Sequence, residues 1–126
     1  MGARILVVED NPLNLKLIRD VLEFEGFDVV TAESGEEGVA VAASDHVDLV
    51  LMDLQLPGID GHEALVRIRS DPQCRAVPVV AVTAFAMKDD IESARRAGFD
   101  GYIAKPISVR ALPKQLAAFL SGGTDG

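Results

Sequence analysis

Three short stretches, RILVV (4–8), DLVLM (48–52) and VPVVAV (77–82), are apolar at nearly every position. A strand with one wet face alternates apolar and polar residues, so runs like these call for cover on both faces. They point to a parallel sheet flanked by helices. Two further runs, DVVTA (28–32) and GYIA (101–104), are mixed or short, as strands at the edges of a sheet tend to be.

The intervening segments carry helix signals. Asn11-Pro12 reads as an N-cap followed by a first-turn proline. Ser34 with Glu37, and Asp60 with Glu63, have capping-box spacing. Apolar faces follow at Leu17, Ile18, Val21 and Leu22 in the first helix, at Met87, Ile91 and Ala94 in the fourth, and at Leu112, Leu116, Phe119 and Leu120 in the last. Gly26 and Gly98 fall where C-caps belong, and Pro57-Gly58 reads as a type II turn. Pro113 requires that the last helix start later than Ser108 or bend in its first turn.

Five βα units with right-handed crossovers make a doubly wound α/β domain. The common five-strand order is 2-1-3-4-5, the flavodoxin-like arrangement. The domain is expected to span residues 1–120, with SGGTDG (121–126) a flexible C-terminal tail.

Of the 126 residues, 48% are hydrophobic and 25% charged, which is a globular composition. A net charge of −8 gains nothing from phosphate counterion release, so direct nucleic-acid binding is not expected. Cys74 is the single cysteine, and no stretch has the length of a membrane span or signal peptide. The expectation is a soluble, cytoplasmic protein without membrane insertion. Cys74 reads as inert, His46 and His62 as solvent-facing, and KDDIESARR (88–96) and GEE (35–37) as mostly solvated helix faces.

In open α/β sheets ligands bind beyond the carboxyl ends of the strands, where the strand order reverses. That point lies between strands 1 and 3. Glu9-Asp10 stands just past the first of these and Asp53 just past the third. Neighbouring strands lie ~4.8 Å apart, so the three carboxylates crowd one pocket and repel one another unless a cation joins them. Oxygen ligands with open positions suit Mg²⁺. Thr83 follows strand 4 and Lys105 follows strand 5, a hydroxyl and a positive charge for a phosphoryl group. VVEDNPLN stands where a glycine-rich phosphate cradle would be and would repel a bare phosphate. Phosphoryl transfer to an aspartate nucleophile then follows as a hypothesis, with Asp53 as acceptor.

These motifs together, Glu9-Asp10, Asp53 followed by LQLPGIDG, VTA at 82–84 and Lys105-Pro106, resemble the receiver domain of two-component response regulators over essentially the whole chain. The resemblance implies that Asp53 takes a phosphoryl group from a phosphohistidine on a histidine kinase or histidine phosphotransfer protein, or from a small acyl phosphate. It implies direct Mg²⁺ ligands at Asp10, Asp53 and the backbone carbonyl of Gln55, with Glu9 acting through water. Lys105 would pair with the phosphoryl group beside a cis bond to Pro106. Thr83 and Tyr102 would form a switch that remodels the helix 4–strand 5–helix 5 face for a downstream protein target; Lys88, Arg95 and Arg96 lie on that face. The resemblance further implies that Gln55 and Phe85 occupy the positions that tune phosphoryl lifetime, and neither is an acid that would orient water.

VTAFAMK resembles both stand-alone regulators of bacterial cell division and receivers of hybrid histidine kinases. With no effector domain after residue 120, action through protein contacts or onward phosphoryl passage is expected; a receiver cut from a hybrid kinase reads the same. An enzyme, a phosphatase with an Asp nucleophile, would want a second acid where Gln55 stands. A flavodoxin-like electron carrier would want aromatics around a flavin, and this chain has one Tyr and no Trp.

Overall fold

A computed structural model describes residues 3–84 and 88–120 of the chain. Phe85, Met87 and the 121–126 tail lie outside the described residues. The elements alternate strictly: β1 (Arg4–Val8), α1 (Pro12–Phe24), β2 (Asp28–Ala32), α2 (Gly35–Ser44), β3 (Leu49–Asp53), α3 (Gly61–Ser70), β4 (Val79–Thr83), α4 (Lys88–Ala97), β5 (Gly101–Ala104) and α5 (Leu112–Leu120). The strands form one sheet in the order β2-β1-β3-β4-β5, every pair parallel.

Strand periodicity divides the core in two. Leu6, Val8, Val50, Met52, Val79 and Ala81 face one side, against residues of α2, α3 and α4 that include Ala42, Leu65, Ile68 and Ala94. Ile5, Val7, Leu49, Leu51, Val80 and Val82 face the other, under Ile18 and Leu22 of α1 and Leu112 and Leu116 of α5. All five residues of β3 and of β4 are buried. The edge strands β2 and β5 are only partly covered, as their composition predicts.

One helix face departs from the sequence expectation. The buried residues of α1 are Leu15, Ile18 and Leu22, whereas Leu17 is 45% exposed and Val21 half-buried. Apolar residues surround much of this helix, and the sheet selects the i, i+3, i+7 stripe through Ile18. Leu13 and Phe24 also remain in solvent.

The caps follow the sequence more closely. Asn11 Oδ1 accepts hydrogen bonds from the Leu13 and Asn14 amides at 2.9 and 3.1 Å. Asn11→Ala is therefore expected to cost about 1 kcal/mol, read as a lower denaturant midpoint at unchanged slope. Ser34 Oγ caps Glu37 N, whose carboxylate reaches one residue further back than a capping box requires, to Glu33 N. Asp60 Oδ1 caps Glu63 N, while the Glu63 carboxylate pairs with Arg67 instead. Gly26 and Gly98 end α1 and α4 with φ of +95° and +111°. The last helix starts at Leu112, so Pro113 falls in its first turn, where a missing N–H is tolerated.

At the amino edge of the sheet, Arg69 ties three segments together. Its guanidinium donates to the carbonyls of Arg75, Val77 and Gly98 and to Asp100 Oδ2, the last at 2.8 Å. Asp100 Oδ2 also accepts the Val79 amide at 2.8 Å.

Candidate functional site

The carboxyl edge of the sheet carries the chemistry. Asp53 is the last residue of β3 rather than the first beyond it, and Thr83 is the last residue of β4. The ladder extends this far because Asp53 is in register with Val82 and Thr83 with Ala104. Both side chains therefore start from rigid backbone and are buried, as is Glu9 directly after β1. Asp10, one residue on, is exposed.

Lys105 links the acids. Its Nζ lies 2.9 Å from Asp53 Oδ2 and 3.3 Å from Glu9 Oε1. Lys105 N donates to Thr83 O at 2.8 Å, and the Lys105–Pro106 peptide is cis. Asp53 Oδ1 accepts the Gln55 amide at 2.9 Å. Glu9 Oε2 accepts the Asn11 amide at 3.1 Å, but Glu9 Oε1 is buried without a hydrogen bond despite the nearby ammonium.

These contacts set the titration. Burial pushes the Glu9 carboxyl above its ordinary value; the Asn11 amide opposes that rise, the Asp53 charge adds to it, and Lys105 opposes it. For Lys105, burial alone would lower the ammonium, yet the hydrogen bond and charge of Asp53, with the charge of Glu9, outweigh it and raise the net value.

Glu9, Asp10 and Asp53 each offer a carboxylate oxygen, all within 4.8 Å of one another. Hard oxygen donors at this range, with a buried Glu9 Oε1 that makes an ion pair but no hydrogen bond among them, fit a small divalent cation such as Mg²⁺. The sequence-derived set Glu9, Asp10, Asp53, Thr83 and Lys105 thus converges on one edge, with the Gln55 backbone beside it.

A supporting residue escaped the sequence reading. A Cβ on Gly61 would lie 2.7 Å from Asp53 O and 2.8 Å from Leu54 Cα, and Gly61 N donates to Leu54 O at 3.2 Å. The glycine pinches the loop that leaves the acid. The Asp60-Gly61 pair was its only signal and reads equally well as a helix start. Gly58, at φ +74°, supplies the positive φ that the Pro57-Gly58 turn demands.

Other expected residues lie elsewhere. Tyr102 is 39% exposed on edge strand β5. His46 is solvent-facing, 4.0 Å from Asp48 Oδ1. His62 is not: it is half-buried and meets Phe99 edge-on, ring centroids 5.5 Å apart. As the second residue of α3, it lies beside the α4–β5 connection that carries Phe99. Cys74 is buried, with Sγ 3.5 Å from Ile68 O, and burial raises its thiol pKa, so it is poorly placed to react. Lys88, Arg95 and Arg96 are exposed on α4. Among the described residues, no helix is long and apolar enough to cross a membrane.

Known proteins resemble this chain in sequence and fold. Residues 5–117 match the response regulator receiver domain family. Over 120 residues the chain is 43% identical to the polar-differentiation response regulator DivK of Brucella ovis, covering 95% of this chain and 98% of that protein. The receiver domain of sensor histidine kinase PA1611 from Pseudomonas aeruginosa PAO1, solved with a magnesium ion coordinated in its active-site cleft, superposes with a TM-score of 0.88 at 36% identity, covering 96% of this chain and 99% of that one. A CheY-like receiver domain protein from Methanospirillum hungatei is 30% identical over the full length of both chains, with a TM-score of 0.86. The family match over residues 5–117 and the whole-length identity to known receivers lead to one assignment: the chain belongs to the response regulator receiver domain family.

Proposed function

We propose that Asp53 is the phospho-acceptor of a two-component phosphorelay. One observation carries this reading: a buried carboxylate at a strand end, 2.9 Å from a lysine ammonium, inside a cluster of three acids. The donor is a phosphohistidine on a histidine kinase or histidine phosphotransfer protein. An Asp53 oxygen attacks phosphorus, the P–N bond breaks, and its electron pair returns to the imidazole.

Asp10, Asp53 and the Gln55 carbonyl would hold Mg²⁺, with Glu9 acting through water. When bound, the cation neutralises the acids and the charge that develops on the phosphoryl oxygens. Lys105 then turns its ammonium from the Asp53 oxygen to the phosphoryl group, and Thr83 offers its hydroxyl from the end of β4. Thr83 and Tyr102 form the switch. Tyr102 is 39% exposed in this structure, and its inward turn remodels the α4–β5–α5 face for a downstream protein. Residues 1–120 act as the receiver and 121–126 as a tail, in the bacterial cytoplasm. The chemistry is self-phosphorylation and self-dephosphorylation rather than turnover of a substrate. With Gln55 in place of a second acid, the aspartyl-phosphate persists for minutes or longer; a half-life of seconds in Mg²⁺ counts against that.

The test is intact mass after incubation with acetyl phosphate, with and without Mg²⁺, and borohydride reduction to mark the modified residue. One phosphoryl group, gained only with Mg²⁺ and mapped to Asp53, is expected. If beryllofluoride also fails to bind in the presence of Mg²⁺, the pocket is not a phosphorylation site.

A further inference from the structure

The loop between β3 and α3 carries Gln55, and the first turn of α2 holds the far end of that loop. The Ile59 amide donates to Glu36 Oε2 at 3.4 Å. The same carboxylate lies across Gly58, where a Cβ would stand 2.8 Å from Glu36 Oε2. One residue before Glu36, the buried Gly35 abuts Ile59: a Cβ there would meet Ile59 Cγ1 at 2.7 Å and Ile59 O at 2.8 Å. Ile59 also packs, with Leu54 and Leu56, against the core cluster that holds Val8, Ala42 and Leu65. The near end of the loop is fixed separately, by Gln55 N on Asp53 Oδ1 and by Gly61 N on Leu54 O. Gln55 thus lies between two anchors, one within the β3–α3 segment and one on α2.

We infer that the first turn of α2 sets which divalent cation the acid cluster prefers: Glu36 and Gly35 are positioning residues that hold the Gln55 carbonyl where Mg²⁺ is favoured over Ca²⁺. The inference rests on the Gln55 carbonyl as a ligand in the reading above. Asp53 ends β3 and Asp10 follows β1 by two residues, so the sheet places both of them. The loop carbonyl is set instead by what grips the loop. Mg²⁺ tolerates little departure from octahedral geometry, whereas Ca²⁺ accepts a larger and less regular oxygen shell. A loop released from α2 therefore penalises Mg²⁺ first. Loss of the Glu36 charge penalises both ions alike, so the ratio of the two affinities separates position from charge.

The experiment titrates the full chain calorimetrically with Mg²⁺ and with Ca²⁺, in wild type and in four variants. Glu36→Ala is expected to weaken Mg²⁺ about tenfold, the low end for a group that orients a ligand. Ca²⁺ is expected to weaken only about twofold, the share of one screened surface charge. Glu36→Gln keeps an oxygen for the Ile59 amide, so it is expected to weaken both ions about twofold and to hold the wild-type ratio. Gly35→Ala pushes on the Ile59 backbone and is expected to lower the ratio as Glu36→Ala does. Gly38→Ala is its control: the added Cβ meets the Val8 side chain, at 2.7 Å from Cγ2, so stability falls while the ratio holds. Equal weakening of both ions in Glu36→Ala overturns the inference, as does an unchanged ratio. The exposed Glu36 pair decides even if Gly35→Ala fails to fold. Unchanged ratios with Mg²⁺ bound and Asp53 labelled by acetyl phosphate in wild type overturn the inference alone. Failure of wild type to bind Mg²⁺ or to be labelled overturns the metal and acceptor readings as well.

Discussion

Lys105→Met is expected to slow phosphoryl uptake by Asp53 about 10²–10³-fold, the usual cost of deleting a preorganised charge at a transition state. The same change is expected to tighten Mg²⁺ binding. Lys105 is the ammonium that lies 2.9 Å from Asp53 and 3.3 Å from Glu9, both of which are buried. Without it the acids hold more uncompensated charge, and a divalent cation gains more by joining them. In the metal-free state the loss is expected to cost about 2–3 kcal/mol, less than for a fully enclosed pair because the Lys105 side chain is partly exposed. Saturating Mg²⁺ recovers most of that stability.

Acid recovers part of it too. Glu9 has a folded-state pKa raised above 4.5, so the native protein takes up that proton more readily than the unfolded chain. Its contribution to stability therefore grows as pH falls through the raised value towards 4.5 and is lost as pH rises through it. Removing Lys105 removes an influence that lowers Glu9, so the gain on acidification is larger in the variant. Calorimetric titration of Mg²⁺ and a mass-resolved time course check the two main outcomes. Weaker Mg²⁺ binding, or an unchanged rate, contradicts the role given to Lys105.

Gly61→Ala is expected to cost about 2–3 kcal/mol and to impair phosphorylation, although residue 61 bears no reactive group. The added Cβ would meet Asp53 O at 2.7 Å and Leu54 Cα at 2.8 Å, both backbone atoms that can yield only by moving the chain. That chain is the end of β3 and the start of the loop carrying Gln55, so the Asp53–Lys105 geometry moves with it. Gly26→Ala is the matched control. Nothing lies within 4 Å of its Cβ, and its cost, about 1 kcal/mol, comes from a positive φ far along the chain from the acids. Thermal melts rank both variants by stability, and acetyl phosphate kinetics separate them. Equal phosphorylation rates would show that Gly61 supports the fold alone.

The sheet was legible because three runs are apolar at nearly every position, as strands covered on both faces require. The acid pocket followed, since the strand order fixes which strand ends are neighbours. Single-residue detail followed less well. The face of α1 was misjudged at Leu17 because apolar residues stand on several sides of that helix, and only the sheet beneath decides which of them is buried. His62 looked like a surface residue because its partner, Phe99, is distant in sequence and arrives through tertiary packing. Gly61 was hidden for a related reason: a close backbone approach leaves no mark in sequence beyond the glycine itself. The missing hydrogen bond at Glu9 Oε1 could not be read at all, because it depends on how one lysine divides its reach between two acids.

The Arg69–Asp100 latch sits at the opposite end of the strands from Lys105 and the acids. A five-residue strand separates the two edges by ~17 Å of stiff, fully bonded backbone. The crowded carboxylates are a standing electrostatic burden that phosphorylation chemistry requires, and the latch contributes cohesion where no chemistry takes place. Engineering for thermal robustness can therefore work on the Arg69 edge without the usual sacrifice of activity, because the part of the molecule that must stay frustrated is not the part being reinforced.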